Sequence, residues 1–234
     1  MSSSRSEDGS ERHAGAPRGA SASRSRPWIV TRVVKPALFA LALVPLGVLV
    51  YRTGVGDLGA NPVETLTHET GRWGLRLLLL TLAVTPLRRL TGWGELVRLR
   101  RMLGLLAFLY LTLHFFAYAW LDQAWVIADI VEDVARRPYV TLGFTALLLL
   151  VPLAATSTDG MIRRLGGRRW KRLHQLVYVA AVAGCLHYLW LVKADTRDPL
   201  VYLVVLTLLL AARHPALDRP ARGPRQPARP GSPG

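Results

Sequence analysis

Six histidines and one cysteine carry most of the side-chain chemistry open to this 234-residue chain: His13, His68, His114, His174, His187 and His214, with Cys185. A single cysteine excludes an internal disulfide, a cysteine-held iron–sulfur cluster and a cysteine zinc site. His13 and His214 lie in or beside polar terminal segments and read as solvated. His114 falls inside Met102–Leu121, and His174 and His187 inside Leu173–Val192. Both runs lack Asp, Glu, Lys and Arg and are 20 residues long, enough to cross a bilayer core. Imidazole at membrane depth is rare. It points to a cofactor, a proton path or an interhelical hydrogen bond. With no carboxylate inside either run, a proton relay lacks its usual partner.

Depth favours a shared ligand role for two of the three. Entering near Met102, the first run reaches His114 after 12 residues, about 18 Å. Entering near Arg172, the second reaches His187 after 15 residues, about 22 Å. Two imidazoles at matched depth, on helices running the same way, can take both axial positions of one haem iron. His174 lies two residues past Arg172, at the other level. It is 13 residues from His187, about 19.5 Å along the axis, and about 140° away in azimuth on an ideal helix. The third block has no histidine at that level, where Arg100 and Arg101 stand.

Six apolar blocks must position these residues: roughly 36–51, 73–87, 102–121, 139–158, 173–192 and 199–212. The second has 11 residues between Arg76 and Arg88, so it spans only if Arg76 snorkels to one surface. The first and sixth are short. Hydrophobic residues make up 51% of the chain, mean hydropathy is +0.26, and 30 Lys and Arg against 15 Asp and Glu give a net charge of +15. In a soluble chain that charge would suggest nucleic acid. Here it sorts by loop. Arg24, Arg26, Arg32 and Lys35 precede the first block, Arg88, Arg89, Arg98, Arg100 and Arg101 follow the second, and Arg163, Arg164, Arg168, Arg169, Lys171 and Arg172 follow the fourth. The alternate loops are poor in positive charge, and the one from Leu121 to Pro138 carries Asp122, Asp129, Glu132 and Asp133. The positive-inside rule then predicts an all-α bundle of six transmembrane helices with both termini cytoplasmic. It also assigns the basic excess to topology and membrane lipid rather than to nucleic acid. Tyr51, Trp73, Trp120, Tyr139, Trp190 and Tyr202 mark the outer interface, Trp28 and Trp170 the inner one. No signal-peptide cleavage pattern precedes the first block, which is expected to be retained.

Six ordered stretches resemble one family: DLGANPVETLTHETGRWGL at 57–75, TPLRRL at 85–90, RLRRMLGLLAFLYLTLHFFAY at 98–118, RRPYVTLGF at 136–144, TSTDGMIRRLGGRRWKRLHQLVYVAA at 156–181 and HYLWLVK at 187–193. They resemble the haem-binding membrane subunits of the MsrQ (YedZ) type, within the ferric-reductase-like transmembrane group. The likeness implies a ferric-reductase-like haem-binding domain over 33–213. A disordered basic tail over 1–32 and a disordered Pro-rich tail over 214–234 flank it. It implies haem b, an associated FMN, and a multi-pass protein of the bacterial inner membrane. Such a subunit passes electrons from the quinone pool to a periplasmic molybdenum enzyme, MsrP, which reduces methionine sulfoxide in oxidised envelope proteins. The family histidines fall on His114, His174 and His187, and His68 in the outer loop also matches a family position. Relatives that reduce ferric iron or oxygen carry two histidines on each of two helices. Here the third block has only one.

His114 and His187 are thus the expected axial ligands. For His174 three roles compete: ligand to a second haem, proton acceptor from quinol, or packing hydrogen bond. Chemistry of quinol or flavin at the inner end is the favoured expectation. Arg72 and Arg76, one turn apart, either pair with haem propionates or anchor the helix end. Gly166-Gly167 forms either a turn or a flavin phosphate contact, and Cys185 reads as core packing. No G-x-G-x-x-G follows a strand, so nucleotide binding within the chain is not expected. The competing functions are a ferric- or oxygen-reducing transmembrane oxidase and a non-redox membrane protein with packing histidines.

Overall fold

A computed structural model describes residues 27–193 and 195–213. The two tails expected to be disordered therefore lie almost wholly outside the described residues, as do His13 and His214. Every element described is helical. A short α1 (Pro27–Ile29) leads through a π-helical stretch into α2 (Lys35–Gly54), followed by α3 (Pro62–Thr91) and α4 (Val97–Phe116). Then come α5 (Ile127–Arg136), α6 (Pro138–Ala155), α7 (Asp159–Leu165), α8 (Gly167–Leu173), α9 (Leu176–Leu191) and α10 (Arg197–Ala211).

Hydropathy placed the second block at 73–87, whereas α3 is 30 residues long. Capping chemistry sets its ends. Asn61 accepts from the Glu64 amide at 3.2 Å and donates its side-chain NH2 to the Glu64 carboxylate at 3.0 Å, while Pro62 takes the first helical position. At the other end Gly92, at φ +72°, donates to the Arg88 carbonyl at 2.9 Å. α3 is the axle of the bundle. It packs along α4 and touches α2, α9 and α10, while α6 packs along α9. Leu75, Leu77, Leu78, Leu79 and Leu82 bury against Leu99, Leu103, Leu106 and Ala107 of α4 and Val177, Ala180 and Ala181 of α9.

Four segments are long and apolar enough to cross a membrane: Val30–Gly54, Gly94–Asp122, Pro138–Ala155 and Gly167–Leu191. Apolar side chains also face outward, among them Leu41 and Val50 of α2, Leu148 of α6 and Leu208 of α10. A soluble domain rarely exposes so much apolar surface. The chain is an all-helical membrane protein.

The two ends of the bundle differ in charge. At the basic end Arg101 pairs with Asp159 at 2.7 Å, and Arg89 donates to the Ala212 carbonyl at 2.9 Å. Gly166, at φ +75°, makes the turn from α7 to α8. At the acidic end lies α5, inside the stretch from Leu121 to Pro138 that hydropathy alone makes a loop. Ile127, Ile130, Val131 and Val134 give it one apolar stripe. Tyr118 and Gln123 both donate to the Asp133 carboxylate, at 3.1 and 3.0 Å, and fix it to the end of α4.

Pro45 lies inside α2 and brings no amide to its ladder, and the fully buried Tyr110 of α4 reaches the turn beside it. Its hydroxyl accepts from the Leu46 amide at 3.1 Å and donates to the Ala42 carbonyl at 2.7 Å. Those two groups are an i, i+4 pair of α2, and the hydroxyl that bonds both ties α2 to α4. Tyr110→Phe is expected to cost about 1–3 kcal/mol, the penalty for leaving buried polar groups unpaired. A lowered thermal midpoint in detergent is the readout. An unchanged midpoint would mean that Leu46 and Ala42 close on each other unaided.

Candidate functional site

Two helix pairs each present one imidazole. On the α3–α4 pair, His114 Nδ1 lies 2.8 Å from the Thr67 carbonyl oxygen. On the α6–α9 pair, His187 Nδ1 lies 2.6 Å from the Tyr139 carbonyl oxygen. A carbonyl only accepts, so Nδ1 carries the proton in both rings and Nε2 keeps its lone pair. The ring centres are 6.0 Å apart, with the ring planes inclined by 73°. A metal–imidazole nitrogen length of about 2 Å, plus about 1 Å from nitrogen to ring centre, gives roughly 6 Å when both sides are counted. The pair therefore has the separation of two ligands on opposite sides of one metal.

Both rings line a single cavity of about 690 Å³, within the size range of cofactor pockets. Leu75, Leu78, Leu111, Phe115, Phe144, Leu147 and Ala180 supply apolar walls. Asn61, Glu64, His68, Asp122, Asp195 and Asp198 give the cavity a polar margin at the acidic end. Among the described residues no group of three or more His, Cys, Asp or Glu could hold a metal ion. Two nitrogens facing a cavity this large suit a metal that brings its own equatorial ligands, as a porphyrin iron does.

Arg72 and Arg76, treated alike in the sequence, part company. Arg72 lines the cavity and pairs with Glu69 through Nη2, while its buried Nε has no hydrogen-bond partner. A guanidinium with an open donor at the wall of the cavity can receive a carboxylate from a bound group. Arg76 Nε instead donates to the Tyr202 hydroxyl at 2.7 Å, and its guanidinium lies 4.7 Å from the centre of the Trp73 ring. It is absent from the cavity wall. His68 stands at the margin with Nδ1 3.8 Å from Glu64.

His174 is not brought to this cavity. It closes α8, and a turn at His174–Gln175 separates it from α9. The azimuth of 140° drawn from an unbroken helix therefore does not apply. Its Nδ1 donates to the Trp170 carbonyl at 3.1 Å, its ring stacks on Trp170 at 3.9 Å, and its Nε2 is buried without a partner. Trp170 is held in turn by its indole N–H on the Thr156 carbonyl at 3.0 Å. Cys185 is fully buried in the core, as its apolar helix implied.

Residue type and depth single out the histidines, but they miss what orients them. The acceptors are backbone carbonyls, of Thr67 and Tyr139, and carry no side-chain signature.

Comparison with known proteins gives the family of the chain. The family described as "Ferric reductase like transmembrane component" matches residues 70–185, which include His114 and end two residues before His187. A protein of Rhodospirillum rubrum is 51% identical over 197 residues, covering 84% of this chain and 95% of the relative. One of Herminiimonas arsenicoxydans is 49% identical over 183 residues, 77% of this chain and 84% of the relative. One of Azospira oryzae is 52% identical over 183 residues, 77% and 78% of the two chains. All three are protein-methionine-sulfoxide reductase heme-binding subunits MsrQ. With about half of the aligned residues identical over most of its length, the chain belongs to the MsrQ family of ferric-reductase-like membrane proteins.

Proposed function

We propose that this chain is the haem b electron-transfer subunit of a methionine sulfoxide reductase system in a bacterial inner membrane. In this reading six helices span the bilayer: α2, α3, α4, α6, α9 and α10. The basic end and both termini are cytoplasmic, and the acidic end faces the periplasm. The observation that carries the reading is the pair of imidazoles, 6.0 Å apart, facing one large apolar cavity.

His114 and His187 would hold the haem iron, and Arg72 at the cavity wall would receive a propionate. Bound there, haem b supplies a one-electron carrier in the outer half of the membrane. The Nδ1–H bonds to Thr67 and Tyr139 fix each tautomer and aim each Nε2 inward. The apolar walls exclude water. At the basic end, quinol from the quinone pool gives up electrons and protons, and the partnerless Nε2 of His174 accepts one of those protons. Electrons leave at the acidic end to a periplasmic molybdenum methionine sulfoxide reductase catalytic subunit, MsrP. An FMN accompanies the family resemblance, and acid extraction with flavin fluorescence checks for it.

The purified chain in detergent should show a b-type absorption spectrum that dithionite and a quinol both reduce. A chain without a visible chromophore would end this reading. His174→Ala should keep full reduction by dithionite but slow reduction by quinol. If its haem-to-protein ratio instead falls by about half, His174 ligates a second haem.

A further inference from the structure

We infer that Gly71 and Gly143 are positioning residues for the two imidazoles, each leaving a helix carbonyl open to a ring from the neighbouring helix. The inference rests on the reading of His114 and His187 as ligands.

The geometry repeats on two unrelated stretches of chain. His114 bonds the carbonyl of Thr67, and Gly71 follows four residues later on α3. His187 bonds the carbonyl of Tyr139, and Gly143 follows four residues later on α6. In an α-helix the carbonyl of residue i accepts from the amide of residue i+4. The Cα–Cβ bond of residue i+4 tilts back towards the N-terminus, so its side chain lies over the turn that holds that carbonyl. Any side chain at i+4 therefore stands in the way of a second donor arriving from outside the helix.

Distances bear this out at both positions. A Cβ on Gly71 would lie 2.9 Å from His114 Nδ1 and 3.1 Å from its Cε1. A Cβ on Gly143 would lie 2.9 Å from His187 Nδ1 and 3.0 Å from its Cε1. Neither ring can give way freely. Each is tethered through the very nitrogen that the Cβ would strike. Glycine is disfavoured inside helices because of its backbone entropy. Both residues lie within helices, so the missing Cβ rather than backbone freedom explains them. Gly104 on α4 shows the contrast. A Cβ there would meet only the Thr81 methyl, at 3.7 Å, an ordinary contact.

The consequence is electronic as well as steric. A ligand histidine whose second N–H is held by an acceptor is oriented and made more basic. Losing that bond lowers electron donation to the iron, which disfavours its ferric state.

The test uses the full chain in detergent with Gly71→Ala, Gly143→Ala and the control Gly104→Ala. Folded yield is read by size exclusion, haem by pyridine haemochromogen, spin state by electron paramagnetic resonance and midpoint potential by redox titration. Both cavity variants should fold as the parent does, yet retain haem about ten-fold more weakly. Their residual haem should turn from low-spin towards high-spin, with a midpoint potential shifted upward. Gly104→Ala should match the parent in every readout. Low-spin haem at parental occupancy and potential in both cavity variants would overturn the inference while leaving the ligand assignment intact. Loss of folded protein in both, with Gly104→Ala folded, would overturn it too, because the glycines would then serve the bundle rather than the rings. If the parent holds no haem, the ligand reading itself fails.

Discussion

His114→Ala and His187→Ala are each expected to abolish the low-spin b-type spectrum, and no other single substitution should do so as completely. The two rings share one cavity, and Nδ1 of each is already committed to a carbonyl, so only Nε2 can bind a metal. Removing either ring would leave a single imidazole to hold the iron and a ring-sized void in an apolar wall. Among the described residues, the other histidine that lines the cavity is His68, half-buried at the polar margin beside Glu64. Loss of a ligand should weaken haem retention by more than the about ten- to hundred-fold seen on losing a ligand's supporting partner. Two further results separate ligation from folding. Added imidazole should restore a low-spin spectrum to whatever haem remains, because the void left by alanine admits it. His68→Ala should keep the parental spectrum. A parental spectrum in either His114→Ala or His187→Ala would refute the axial pair.

Much of this site is legible from residue type and spacing, because burying an ionisable ring in a membrane helix is costly and therefore informative. Counting residues from the basic loops puts His114 and His187 at similar depth, and the structure brings the two rings together. What the counting misses has identifiable causes. A hydropathy window ends the second block at Trp73 because Glu64, His68, Glu69, Arg72 and Arg76 lower the average. The capping signals at Asn61-Pro62-Val63-Glu64 and Gly92 carry the helix across all of them. α5 escapes because its 10 residues are too few to span, although the spacing of Ile127, Ile130, Val131 and Val134 is helical. The break at His174–Gln175 leaves no trace in composition, since neither residue is a helix breaker. Arg72 and Arg76 differ only in what surrounds them, and no spacing rule tells which of two arginines one turn apart faces a cavity. Gly71 and Gly143 look like defects in helices until the imidazoles are placed beside them.

Supplied with a quinol, the purified chain alone is expected to give no turnover of methionine sulfoxide, and the periplasmic molybdenum partner should restore it. Reducing a sulfoxide takes two electrons and two protons, breaks the sulfur–oxygen bond and releases water. A protein chain can do this with a thiol pair, but Cys185 is the only cysteine here. It is fully buried in the core, away from any surface that a protein-bound methionine could reach. The cavity is equally unsuited. Its walls are mostly apolar around two imidazoles and offer no thiol, and in the proposed function both free nitrogens are committed to iron. A methionine sulfoxide in an oxidised envelope protein carries its whole chain with it and cannot enter a space of about 690 Å³ inside a helix bundle. In the proposed function sulfoxide chemistry belongs to a second protein that meets the acidic end, where Glu64, Asp122, Asp195 and Asp198 border the cavity. The decisive assay compares sulfoxide loss from an oxidised protein substrate with quinol and chain, with quinol and partner, and with all three. Turnover only in the complete mixture fits the division of labour, and its loss with His114→Ala ties it to the paired imidazoles. Turnover by quinol and chain without the partner would place the sulfoxide chemistry in this protein and overturn the assignment.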